Sequence, residues 1–123
     1  MFNMTIKFSK LIDATEAFRK LSAQDLEIRK AVEVSRLIKK LEKEYEVFKG
    51  NYSKLVQKYG KLKDEEAGEY EFIGDNREKF THEVEELMNI ECTIDSEPIE
   101  INDDIRLSAA QVIALEDFIQ FKE

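Results

Sequence analysis

The side chains best suited to act as nucleophile or base near neutral pH are few here: the chain has one cysteine, Cys92, and one histidine, His82. His82 lies beside Glu83, Glu85 and Glu86 in a segment of helical spacing, where an imidazole is expected on a solvated face. Cys92 precedes Thr93 in a strand-like segment and is expected to be a small buried hydrophobe. A Cys92–His82 dyad is the one nucleophilic pairing on offer, and neither residue has the flanking motif of a known dyad. Asp64-Glu65-Glu66 and Asp103-Asp104 are carboxylate clusters, yet neither has the alternating oxygen-ligand spacing of a calcium loop. No Gly-rich phosphate loop, His/Cys zinc spacing or Ser-centred elbow is present. The sequence therefore predicts no catalytic residue, no metal and no cofactor.

The elements that would position these groups are easier to read. Ala31, Val34, Ile38, Leu41, Tyr45, Phe48, Tyr52, Leu55 and Tyr59 follow one another at steps of three and four. That spacing is the seam of a long helix packed on other helices, with Leu37, Val47 and Val56 thickening it. The helix is expected from Asp25, its cap, to Tyr59, continuous through Gly50 and closed by Gly60 in a left-handed C-cap. Before it, Asn3 to Phe8 alternates as a strand, and Ser9 is the expected cap of a helix carrying Leu11, Ile12, Phe18 and Leu21.

After it, Lys61 to Glu69 reads as a polar loop with Gly68 as turn residue, and Tyr70 to Ile73 as a short strand. Gly74-Asp75-Asn76 then supplies a turn and cap for a helix carrying Phe80, Val84, Leu87 and Met88. Glu91 to Asp95 and Ile99 to Ile101 are strand-like, separated by Pro98. Ser108 and Gln111 form a capping box that opens a last helix carrying Val112, Leu115, Phe118 and Ile119. The expected fold is a single α+β domain, mostly helical, in the order β-α-α-β-α-β-β-α, with one long helix, shorter helices packed on it and a small antiparallel sheet.

The two helices flanking the long one, stacked end to end, are each about 20 Å long and would cover most of its seam. The competing arrangement leaves the Tyr45–Tyr59 part open for a second copy or another protein. Tyrosines at 45, 52 and 59 suit the rim of a core or an interface, because a buried hydroxyl needs a partner.

Net charge is −8, unevenly distributed. Residues 1–63 hold 15 Lys and Arg against 8 Asp and Glu, whereas residues 64–123 hold 4 against 19. Two halves of opposite sign are expected to pack together, or to leave an acidic face for a basic groove on another protein. The acidic balance argues against free nucleic acid as a ligand. No apolar run reaches the ~18 residues needed to span a bilayer, and Met1 to Phe8 lacks the core of a signal peptide. With a single cysteine, the chain suits a reducing, cytoplasmic setting.

Several runs are familiar in order: IKKLEKEYEVF and KLVQKYG within Ile38–Gly60, then DEEAGEYEF, FTHEVEELMN, IECTIDSEPIEI and LSAAQVIALEDFI. In these the chain resembles a group of small uncharacterised proteins of phages and prophages of low-GC bacteria. The opening NMTIKFSKLIDA also suits that group. The resemblance implies a viral or prophage accessory protein from a tail or anti-defence neighbourhood, and carries over no catalytic residue.

The expected function is accordingly non-enzymatic binding of a host or viral protein. In one form, Glu83, Glu85, Glu86, Asp95, Glu97, Asp103 and Asp104 stand in for phosphates and inhibit a host nuclease or defence complex. The alternative is a minor virion component or a tail or capsid assembly chaperone, using Tyr45, Phe48, Tyr52 and Tyr59 as the contact. A small-molecule sponge is a third reading, and would need a pocket that nothing in the sequence marks.

Overall fold

A computed structural model describes residues 3–64, 68–101 and 105–121. The chain is α+β and mostly helical, in the order β1 (Asn3–Lys7), α1 (Phe8–Ser22), α2 (Ile28–Tyr59), β2 (Gly60–Asp64), β3 (Glu69–Phe72), α3 (Asn76–Met88), β4 (Glu91–Asp95), β5 (Ile99–Ile101), α4 (Ala109–Leu115) and β6 (Ile119–Phe121). The strands form three two-stranded sheets. β1 with β4 and β2 with β3 are antiparallel, and β5 with β6 is parallel.

The long helix forms as its periodicity requires, 32 residues or about 48 Å, unbroken at Gly50. Both flanking helices pack on it. α1 meets it through Phe8 against Phe48, with ring centroids 5.7 Å apart. α3 meets its far end, where Phe80 packs edge-on to Tyr52 at 5.8 Å and Asn76 Nδ2 donates to the Tyr59 carbonyl at 3.2 Å. The Phe8 N–H donates to the Ile90 carbonyl at 3.0 Å, joining the start of α1 to the end of α3 through the β1–β4 ladder. The two helices thus stack end to end along the seam and cover most of it, leaving Tyr52 partly exposed.

The most buried helix is nonetheless α1. Seven of its 15 residues are buried (Phe8, Leu11, Ala14, Thr15, Ala17, Phe18 and Leu21), against four of 32 in α2. One side of α1 lies on α2 and another on α4 and the turn that follows it, whose Phe118 packs edge to face on Phe18 at 5.6 Å. Thr15, its one buried polar side chain, donates to the Leu11 carbonyl at 2.8 Å.

Several boundaries differ from expectation. α1 begins at Phe8 with Lys7 as N-cap, because Phe8 is needed under Phe48 and Ser9 therefore falls inside the first turn. α2 begins at Ile28 behind its N-cap Glu27, less than one turn later than expected, after a short connection over 23–27. Gly60 is extended, with φ −92 and ψ 151, and is no left-handed cap. It is glycine for room: a Cβ there would stand 2.7 Å from the Val56 carbonyl oxygen and 3.2 Å from Tyr70. The expected Lys61–Glu69 loop is instead largely a hairpin of β2 and β3, with a register shift between Leu62 and Asp64 and Gly68 at φ +65 near its turn.

Asp75 precedes α3 without a capping hydrogen bond and pairs with Lys79 at 3.5 Å. The Ser108–Gln111 capping box forms, but α4 stops at Leu115. Phe118 and Ile119 leave the helix because their backbone is used elsewhere: the Ile99 N–H donates to the Phe118 carbonyl at 2.8 Å, and Ile119 pairs with Ile99 across the parallel ladder.

Candidate functional site

The sequence-predicted acidic set divides in space. Glu83, Glu85 and Glu86 lie on α3, and Glu83 faces partly inward, with Lys58 Nζ 3.8 Å from its carboxylate. That carboxylate and the Tyr59 side chain act together on Lys58: the Tyr59 hydrogen bond first, then the Glu83 charge, hold its ammonium above the usual lysine pKa. Asp95 ends β4, and its carbonyl accepts from Lys40 Nζ. Glu97 lies in a shallow depression with Arg36, Lys40 and Leu37. The lysines that these two groups meet, Lys58 and Lys40, are 18 residues or about 27 Å apart along α2. The acidic groups do not make one row. Asp103 and Asp104 lie outside the described residues, as do Glu65 and Glu66.

What α3 does present outward is a shorter acidic face. Glu78 and Glu85 are seven residues apart, both exposed, with the exposed His82 and Glu86 beside them. His82 Nε2 lies 3.2 Å from Glu86. Glu78 was not among the expected residues. The signal was its position two helical turns before Glu85, which becomes legible once Phe80, Val84 and Leu87 fix the inner face.

The aromatic seam is graded. Phe48 is buried, Tyr45 and Tyr59 are half-buried, and Tyr52 is 38% exposed. Phe48 packs on Phe8, Tyr45 and Tyr52; Tyr52 continues to Phe80, and Phe80 to Phe72 at 4.6 Å. The same β-hairpin face carries Tyr70 and its cross-strand partner Leu62, both exposed, with exposed Ile73 just beyond. The apolar ladder thus runs from the core to the surface at the hairpin.

Cys92 is buried on β4 opposite Ile6. Burial, with a smaller contribution from the Glu44 charge, pushes its thiol up to about 11, which disfavours the thiolate a nucleophile needs. No hydrogen bond joins it to the exposed His82 among the described residues. Among the same residues no group of three or more His, Cys, Asp or Glu side chains is arranged to hold a metal ion. An open groove of about 500 Å³ runs between α1 and α4, lined by Lys10, Asp13, Lys20, Ser108, Gln111 and Ile113. No helix among the described residues is long and apolar enough to cross a membrane.

Opposite charges from the two halves do meet within the chain. Lys10 reaches Glu116 at 3.6 Å and Asp117 at 3.9 Å, and Lys58 separately meets Glu83. These contacts lie at the surface, where solvent screens them, so they align the halves more than they hold them.

No protein-family model matches the chain, and comparison with curated proteins and with solved structures finds no similar one.

Proposed function

We propose that the protein acts without catalysis, as a phage or prophage accessory protein that binds another protein through the acidic outer face of α3. The observation that carries this reading is the exposure of Glu78, Glu85 and Glu86 on a helix whose inner face is fixed against α2. Carboxylates held on a docked helix keep their spacing, so a basic groove, such as one that otherwise takes phosphates, meets a preformed charge pattern. Association through such a face is fast and weakens with salt. A host nuclease or defence subunit is the class of partner that fits.

A second reading rests on the hairpin. Leu62, Tyr70 and Ile73 place apolar area in solvent at the end of the aromatic ladder, which suits a virion or assembly partner. Affinity capture from phage-infected lysate, read by mass spectrometry, separates the two. The baits are the unaltered protein, Glu78→Gln/Glu85→Gln/Glu86→Gln and Leu62→Asp/Tyr70→Asp. A nuclease or defence subunit lost with the first variant and at 500 mM salt supports the acidic face. Tail or capsid proteins lost with the second variant move the function to assembly. Identical captures by all three baits would defeat both readings.

A further inference from the structure

The net charge conceals a surface of the opposite sign. Successive α-helical residues are rotated by about 100°, so positions on α2 can be assigned to sectors around its axis. Seven residues of α2 fall in one sector about 60° wide: Arg29, Arg36, Lys40, Lys43, Val47, Lys54 and Lys58. Six are basic, none is acidic, and all six basic residues are exposed. The sector is centred about 120° around the helix from the buried Val34, Leu37, Leu41 and Phe48, so packing leaves it in solvent along its length. From Arg29 to Lys58 it runs about 44 Å. Lys58 pairs with Glu83 and Lys40 bonds the Asp95 carbonyl, while Arg29, Arg36, Lys43 and Lys54 have no ion pair among the described residues.

We infer that this edge of α2 is a sequence-independent binding surface for the phosphate backbone of duplex DNA. A straight row of cations more than one duplex turn long fits a ligand whose charges repeat regularly over tens of ångströms. An acidic protein would be the better match if the row enclosed an apolar anchor, since interfaces draw their energy from buried aromatic and aliphatic groups. Val47 alone, half exposed, is no such anchor. Nor does the row carry the aromatic side chains on which single-stranded bases stack. The acidic balance of the whole chain does not by itself cancel the surface, because at 0.15 M salt a charge is felt over only about 8 Å; the acidic side chains placed at the row include Glu83 on Lys58 and Glu97 in the depression with Arg36 and Lys40.

The test is fluorescence anisotropy of a labelled 30-base-pair mixed-sequence DNA duplex titrated with the full chain. Binding at 50 mM salt that weakens by about 100-fold or more at 300 mM is the expected result, the slope for three or more neutralised phosphates. The triple variant Arg36→Glu/Lys43→Glu/Lys54→Glu should bind at least tenfold more weakly than Lys20→Glu/Lys49→Glu/Lys79→Glu. The second triple makes the same change in net charge at exposed lysines off the stripe, and circular dichroism checks that both remain folded. Equal losses in the two triples would overturn the assignment to the stripe. Absence of binding at 50 mM salt would overturn it as well. Displacement of the duplex by poly-glutamate at equal charge would replace DNA with an acidic protein as the ligand.

Discussion

Phe18 and Phe118 meet edge to face, 5.6 Å between centroids, with neither side chain reaching solvent. They come from the first helix and from the turn after the last, 100 residues apart in sequence. The contact closes the chain on itself and makes α1 an element buried from two sides. Truncating Phe118 to Ala should cost about 3–5 kcal/mol in urea unfolding. Tyr52→Asp, at the exposed part of the seam, should cost much less and leave the fold intact. Phe48→Asp should unfold the protein, because it would leave a carboxylate among Phe8, Tyr45 and Tyr52.

Two glycines flanking one stretch of α2 should respond in opposite directions. Gly50 has open space where a Cβ would go, so Gly50→Ala should raise stability by about 0.5–1 kcal/mol through helix propensity. At Gly60 the new methyl would stand 2.7 Å from the Val56 carbonyl oxygen, which is backbone and cannot swing away. Gly60→Ala should lower stability by about 1–3 kcal/mol. Thermal unfolding of the two variants beside the parent decides the sign of each.

Cys92 should react slowly. With the folded thiol pushed up to about 11, alkylation at pH 8 should be far slower in the native protein than in denaturant. The same shift sets a pH dependence. The thiol of the unfolded chain ionises first, so the unfolded state binds fewer protons between about pH 9 and 11 and stability falls across that window. The loss attributable to this group is on the order of 2 kcal/mol, and Cys92→Ala should remove it from the pH–stability curve.

The Ser108 hydroxyl accepts from the Gln111 N–H at 3.2 Å, and the Gln111 side chain accepts from the Ser108 N–H at 2.9 Å. Ser108→Ala should cost about 1 kcal/mol by equilibrium unfolding. Helix α4 is only seven residues long, so hydrogen exchange at Gln111 and Val112 should speed up before the rest of the chain responds.

Residues whose structural role is set by near neighbours were legible in the sequence. The steps of three and four from Ala31 to Tyr59 specify a helix because side chains at that spacing share one face, and Gly50 costs too little to interrupt so long a pattern. The Ser108–Gln111 box was legible for the same reason, its two hydrogen bonds spanning only three residues. The β2–β3 hairpin was not, because the polar run Lys61 to Asp64 alternates weakly and is held as a strand by Tyr70 and Phe72 opposite it. The candidate site followed the same division. Carboxylates could be counted from the sequence, but their division into an α3 group at Lys58 and a β4 group at Lys40 depends on where each element docks.

By itself the sequence determined the helices, their apolar faces, the opposite charge of the two halves and the positions of Cys92 and His82. These are properties of residue type and short spacing, and local backbone geometry converts them into structure without reference to distant segments. The tertiary structure alone decided that Phe118 and Ile119 leave the last helix. Its influence is plain because Ile119 satisfies its backbone against Ile99, a pairing in which local propensity has no part. The same structure decided that Tyr45, Phe48 and Tyr59 turn largely inward beneath α1 and α3, and that Glu78 joins Glu85 on an outer face. Exposure is a property of what packs against a residue, and the chain brings those partners from up to a hundred residues away.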